Sequence, residues 1–146
     1  DKGYSLERIF GPYLANVKSI VIEDPYIRLP HQIQNFIRFC ELIVRDSRAN
    51  HLHLITGFDD ELQKQSIEES FGLLQDSLAE NGVQFEWEFH NSLHDREIRL
   101  DTGWVIKIGR GFDIYQKPEN WYAIGVNNLD LRPCLETKVD IYKGSK

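Results

Sequence analysis

Hydrophobic positions recur along this chain with two different periods, and the change from one to the other marks out the elements. Residues 5–15, opening Ser5-Leu6-Glu7-Arg8-Ile9-Phe10, read as a short amphipathic helix with Ser5 as N-cap, loosened by Gly11-Pro12. Residues 17–22 form a nearly continuous β-branched run, the pattern of a strand covered on both faces, and Asp24-Pro25 ends it. In residues 31–45, Ile33, Phe36, Ile37, Cys40 and Val44 fall at i, i+3, i+4, i+7 and i+11, one apolar stripe of a helix. Leu52, Leu54 and Ile55 make a second short strand, closed by Gly57.

The longest helix is expected from Asp59 to Glu80. Acids open it where the helix dipole favours negative charge, Ile67, Phe71, Leu74 and Leu78 line one side, and Asn81-Gly82 supplies the left-handed cap. Beyond it the period drops to two. Val83, Phe85, Trp87 and Phe89 alternate with Gln84, Glu86 and Glu88, a strand with one wet face. Further strands are expected at about 95–100 and 103–108, turning at Asp101-Thr102-Gly103, with weaker ones near 121–126 and 137–142. Helix, strand, helix, strand, helix and then mainly strands predicts an α/β fold: a mixed sheet flanked by helices, one domain over residues 1–146 without linker or repeat.

Composition narrows the function classes. A content of 41% hydrophobic and 27% charged residues is ordinary for a globular chain. The longest apolar runs, such as Ser19-Ile20-Val21-Ile22, are far too short to cross a bilayer. With no leader pattern and two cysteines, Cys40 and Cys134, the reading is a cytoplasmic protein with reduced thiols and no zinc site. The chain lacks Met and opens Asp1-Lys2-Gly3, which suggests a piece of a longer protein. A net charge of −6 argues against generic nucleic-acid binding. The charge is uneven, because residues 59–88 hold nine acids against Lys64 alone, whereas residues 91–117 are net +1 before counting His94.

The stretch with chemistry is His94-Asp95-Arg96-Glu97-Ile98-Arg99-Leu100-Asp101. On a strand, His94 and Arg96 project to one face and can meet one ligand. An imidazole serves as nucleophile or acid/base group, and a guanidinium forks onto phosphate oxygens. Asp101, at the following turn, could hold the imidazole tautomer or join an ion pair. Phosphoryl recognition fits better than ester or peptide hydrolysis, since Gly-x-Ser-x-Gly, His-Glu-x-x-His and P-loop patterns are all missing. Arg28 and His31 follow the first strand, where open α/β sheets collect ligands, and Arg110 sits between Gly109 and Gly111 in a segment that could expose backbone N–H groups to an anion. The plainer alternatives stay open: a strand-end ion cluster for His94, Arg96 and Asp101, a turn at Arg110, and a helix-entry loop with Tyr26 packed on the core. Arg99 and Lys107 read as surface charges, and the three tryptophans as core or dimer contacts.

The spacing His94-x-Arg96-x-x-x-x-Asp101 resembles the phospholipase D signature His-x-Lys-x-x-x-x-Asp, with arginine where that superfamily has lysine. Glu23-Asp24-Pro25-Tyr26-Ile27-Arg28, His31-Gln32, Asn35-Phe36, Arg38-Phe39-Cys40-Glu41, Gly103-Trp104, Ile106 to Gly111 and Asp130 to Cys134 extend the match. Together they resemble the phospholipase D-like C-terminal domain of proteins with an MIT (microtubule interacting and trafficking) domain, over about residues 5–142. The resemblance implies a dimeric, membrane-associating module that binds acidic phospholipids such as phosphoinositides, with no cofactor. It implies a link to ESCRT-III and cytokinesis only through an MIT domain, which this chain lacks. The opening residues are also similar to prokaryotic versions, some fused to Lon-like ATPases in phage defence.

A working phospholipase needs two such motifs, and one is present here, with Arg96 altering the geometry of its cation. Non-catalytic binding of a phosphate-bearing ligand through His94, Arg96, Arg28, His31 and Arg110 therefore ranks first. Two alternatives stand beside it. One is a dimeric phosphodiesterase or nuclease-like enzyme in which symmetry pairs two copies of His94, with Arg96 and Asp101 as its other catalytic candidates. The other is a dimerisation or interaction domain of a larger protein.

Overall fold

The computed structural model describes residues 6–93, 96–109 and 139–144. The chain opens with α1 (Leu6–Phe10) and a single 3-10 turn at Gly11–Tyr13, where Pro12 stops the helix. Then come β1 (Ser19–Glu23), α2 (Pro30–Asp46), β2 (His51–Thr56), α3 (Glu61–Glu80) and β3 (Gln84–Phe89). β4 (Glu97–Leu100), β5 (Trp104–Ile108) and β6 (Val139–Lys143) complete one six-stranded sheet of order β3-β2-β1-β4-β5-β6. β1, β2 and β3 run parallel, while β4, β5 and β6 each run antiparallel to the strand before them in that order. The strand expected at 121–126 lies outside the described residues.

Local chemistry fixes the helix ends. Asp60 caps α3, its Oδ1 accepting from the Gln63 N–H at 2.8 Å. At the far end the Val83 N–H reaches Leu78 O and the Gly82 N–H reaches Ala79 O, a closure that needs the left-handed Gly82 at φ 78°. α2 begins on Pro30, whose missing N–H costs a first-turn position nothing.

Two successive right-handed crossovers stepping in the same direction place α2 and α3 on one face of the sheet. Ile20, Ile22, Leu52, Leu54, Phe85, Ile98 and Ile106 point to that face and are buried with Phe36, Phe39, Ile43, Ile67 and Phe71. Phe36, Phe71 and Phe85 meet at ring separations of 5.7–6.2 Å and tie both helices to β3. Trp87 and Trp104 pack against this core, as expected.

β1 departs from the expectation of two covered faces. Its burial alternates, with Ile20 and Ile22 sealed but Ser19, Val21 and Glu23 only partly covered. The β-branched run reflects strand propensity, and helices on one side leave the other side to polar neighbours such as His51, His53, Glu86 and Arg99.

Candidate functional site at the strand ends

Because β1, β2 and β3 are parallel and β4 is antiparallel to β1, the C-terminal ends of the first three and the N-terminal start of β4 share one end of the sheet. Open α/β sheets place ligands at such an end. Here it gathers Asp24, Tyr26 and Arg28 after β1, Gly57 and Phe58 after β2, Asn91 after β3, Arg96 before β4 and Gly109 after β5. The loops are closely packed. A Cβ on Gly57 would lie 3.1 Å from Asn91 Oδ1 and 3.2 Å from Pro25 O, so the smallest residue lets them meet.

Tyr26 is the centre of the arrangement. The Arg96 guanidinium carbon stands 4.4 Å from its ring centroid and that of Arg28 5.1 Å, both within cation–π range. Tyr26 is 45% exposed, a surface platform and not the core-packed residue of the plainer alternative. Asp24, nearly buried, lies 3.8 Å from Arg96 Nε and accepts the Tyr26 N–H at 2.9 Å. Arg96 Nη1 also donates to Gly109 O at 3.3 Å. Arg28 donates from Nε to Pro25 O at 3.0 Å and pairs through Nη1 with the exposed Asp59. Lys64, in the first turn of α3, sits over the Phe58 and Phe89 rings at 5.5 and 5.8 Å.

Arg28, Arg96 and Lys64 are thus each held over an aromatic ring. The cavity behind Arg96, lined by Ile22, Asp24, Ile106 and others, measures about 10 Å³, barely room for one water. That cavity is too small to enclose a ligand. Asp24 is part of the frame, whereas Asp59 is solvated, and a guanidinium fork can pair with a phosphate as it does with a carboxylate.

The structure brings Arg28 and Arg96 together from distant parts of the sequence. His31 lies partly buried in the first turn of α2, three residues beyond Arg28. Asp101 does not join them. All of β4 separates it from Arg96, and at the opposite end of the sheet it accepts the Lys18 N–H at 3.0 Å and donates its own N–H to Ser19 O. That is neither a ligand role nor the expected ion cluster with Arg96 but a backbone tie at a strand end, and it follows from roughly 3.4 Å of rise per residue along an extended strand. His94 and Arg110 lie outside the described residues.

Arg99 is more than a surface charge. It bridges the like-charged cross-strand pair Glu23 and Glu97, 2.7 Å from Glu97, and the Glu97 carboxylate raises its pKa. Tyr26, Lys64, Asp59 and Asn91 were not singled out from sequence as site residues. The one available signal was Lys64 standing alone among nine acids. Among the described residues no group of three or more His, Cys, Asp or Glu is arranged to hold a metal ion.

Comparison with known proteins places this geometry in context. Residues 3–143 match the family model described as a phospholipase D-like domain at the C-terminus of MIT. The chain is also similar to MIT domain-containing protein 1 of Mus musculus, 44% identical over 146 residues, covering 96% of this chain. It spans 57% of that relative's length.

Proposed function

Since the chain belongs to the family of phospholipase D-like domains at the C-terminus of MIT proteins, we propose that it is a non-catalytic module binding phosphate-bearing anions, acidic phospholipids such as phosphoinositides at a membrane surface. The observation that carries this reading is the pair of guanidiniums, Arg28 and Arg96, stacked on one exposed tyrosine at the ligand-collecting end of the sheet. A guanidinium keeps its proton at any physiological pH and so favours holding a phosphate over shuttling a proton to a leaving group. The cavity of about 10 Å³ beside Arg96 is too small for a substrate, so a headgroup would meet this guanidinium from outside.

Work at membranes through ESCRT-III, including cytokinesis, belongs to this proposal at the level of a longer protein, where an MIT domain would choose the partner and this domain the surface. A homodimer would present the cluster twice and raise avidity without new contacts.

Co-sedimentation with phosphatidylcholine vesicles, with and without phosphatidylserine or phosphatidylinositol phosphates, tests the reading. Binding is expected only with the anionic lipids and falls as salt is added, because screening shortens the reach of the charges. Each basic residue near such a surface is worth about 1 kcal/mol, so Arg28→Ala and Arg96→Ala should each weaken binding roughly fivefold. Equal binding to neutral vesicles, or a double variant that binds as the parent does, would refute the assignment.

A further inference from the structure

We infer that the turn from Pro25 to Pro30 is a preformed wedge that enters the interfacial layer of an anionic bilayer, with Tyr26 and Leu29 below the phosphates and Arg28 and Arg96 level with them. The inference rests on the lipid-binding reading and names the element that makes contact.

Six large apolar side chains are prominently exposed among the described residues: Tyr26, Leu29, Leu62, Leu73, Val139 and Tyr142. Leu62 and Leu73 stand on α3 among Glu61, Glu69 and Asp76, where an anionic surface would be repelled. Val139 and Tyr142 belong to the edge strand β6. Only Tyr26 and Leu29, 45% and 44% exposed, share one short turn with Arg28, and Arg96 reaches the Tyr26 ring from the start of β4. The pairing of apolar tips with a basic collar is what interfacial binding requires.

The backbone supplies the second argument. A turn that enters an apolar layer must not carry free N–H groups. Pro25 and Pro30 have none. Tyr26 donates to Asp24 Oδ1 at 2.9 Å, and Arg28 and Leu29 both donate to Gln32 Oε1, at 3.3 and 3.0 Å. Arg28 Nε closes the loop onto Pro25 O, and the buried Ile27 anchors it to the core. The turn is therefore already ordered and largely satisfied internally, so little entropy or hydrogen bonding is lost on insertion. Tyrosine suits the boundary itself, with an apolar ring and a polar tip.

A polarity-sensitive nitrobenzoxadiazole label on Leu29→Cys, compared with one on Leu62→Cys, tests the wedge in a Cys134→Ser background. Cys40 needs no replacement, being 2% exposed with a thiol pushed up by burial away from the reactive thiolate. On phosphatidylcholine–phosphatidylserine vesicles the label at 29 should shift to the blue and be quenched by shallowly brominated lipid, while the label at 62 stays aqueous. In unlabelled protein, Leu29→Ser should weaken vesicle binding roughly tenfold, from the apolar area it removes, and leave affinity for soluble inositol hexakisphosphate unchanged. If vesicles are bound with both labels aqueous, or if Leu29→Ser weakens vesicle and soluble-phosphate binding alike, the wedge is overturned and headgroup recognition stands. A parent protein that binds no anionic vesicle overturns both.

Discussion

Glu88 stands on the open face of the sheet between two imidazoles, 2.8 Å from His53 Nε2 and 3.0 Å from His90 Nε2. Their hydrogen bonds hold its carboxyl below the usual carboxylate value of 4.5. A carboxylate depressed in the folded state binds fewer protons there than in the unfolded chain. Its contribution to stability is thus present above about pH 4.5 and lost as the pH falls through the lower folded value. Glu88 is about half exposed, and exposed pairs contribute roughly 0.2–1 kcal/mol, so the effect is small. Thermal melts of Glu88→Gln should lie slightly below the parent at about pH 6 and coincide with it at about pH 3. A gap that persists in acid would mean that the carboxylate's charge is not the source.

Among the elements, α3 is the most exposed to a test of local chemistry. It carries acids at both ends and along its wet side, and it buries only Ile67, Phe71 and Leu78 deeply. Its N-terminus depends on Asp60, whose side chain satisfies the Gln63 N–H. Asp60→Ala should lower stability by about 1 kcal/mol, read from the urea midpoint with an unchanged slope. Loss of that cap also loosens the turn that carries Asp59, the partner of Arg28, so the element and the site are mechanically joined. An unaltered midpoint would show that packing under Phe71, not the cap, sets where the helix starts.

At the scale of the molecule, the aromatic triangle of Phe36, Phe71 and Phe85 joins two helices to the edge strand β3. All three are fully buried or nearly so. Phe71→Ala should cost about 3–5 kcal/mol, since it removes a buried ring and leaves a cavity in a close-packed layer. Equilibrium denaturation would measure it, and a loss below about 1 kcal/mol would contradict the packing described. The net charge of −6 bears on the same scale: acids dominate α3 and β3, so the proposed binding to an anionic surface would have to be oriented, with the strand ends facing the lipid.

Much of this architecture was legible in the order of residues because it is local. Apolar stripes, alternation and β-branched runs located the helices and strands among the described residues, and the opening acids and Asn81-Gly82 marked the ends of α3, since caps and periodicity act within a few residues. The stretch from His94 to Asp101 singled out Arg96, which the structure sets just before β4. Three matters were beyond it. The handedness of the crossovers put both helices on one face and left β1 half covered. The direction of β4 carried Asp101 to the far end of the sheet, where it ties Lys18 and Ser19. Strand order stacked Arg28 and Arg96 on one ring, Tyr26, which was not singled out as a site residue. These depend on how distant segments pack against one another, and a sequence records such contacts only as residues that could make them.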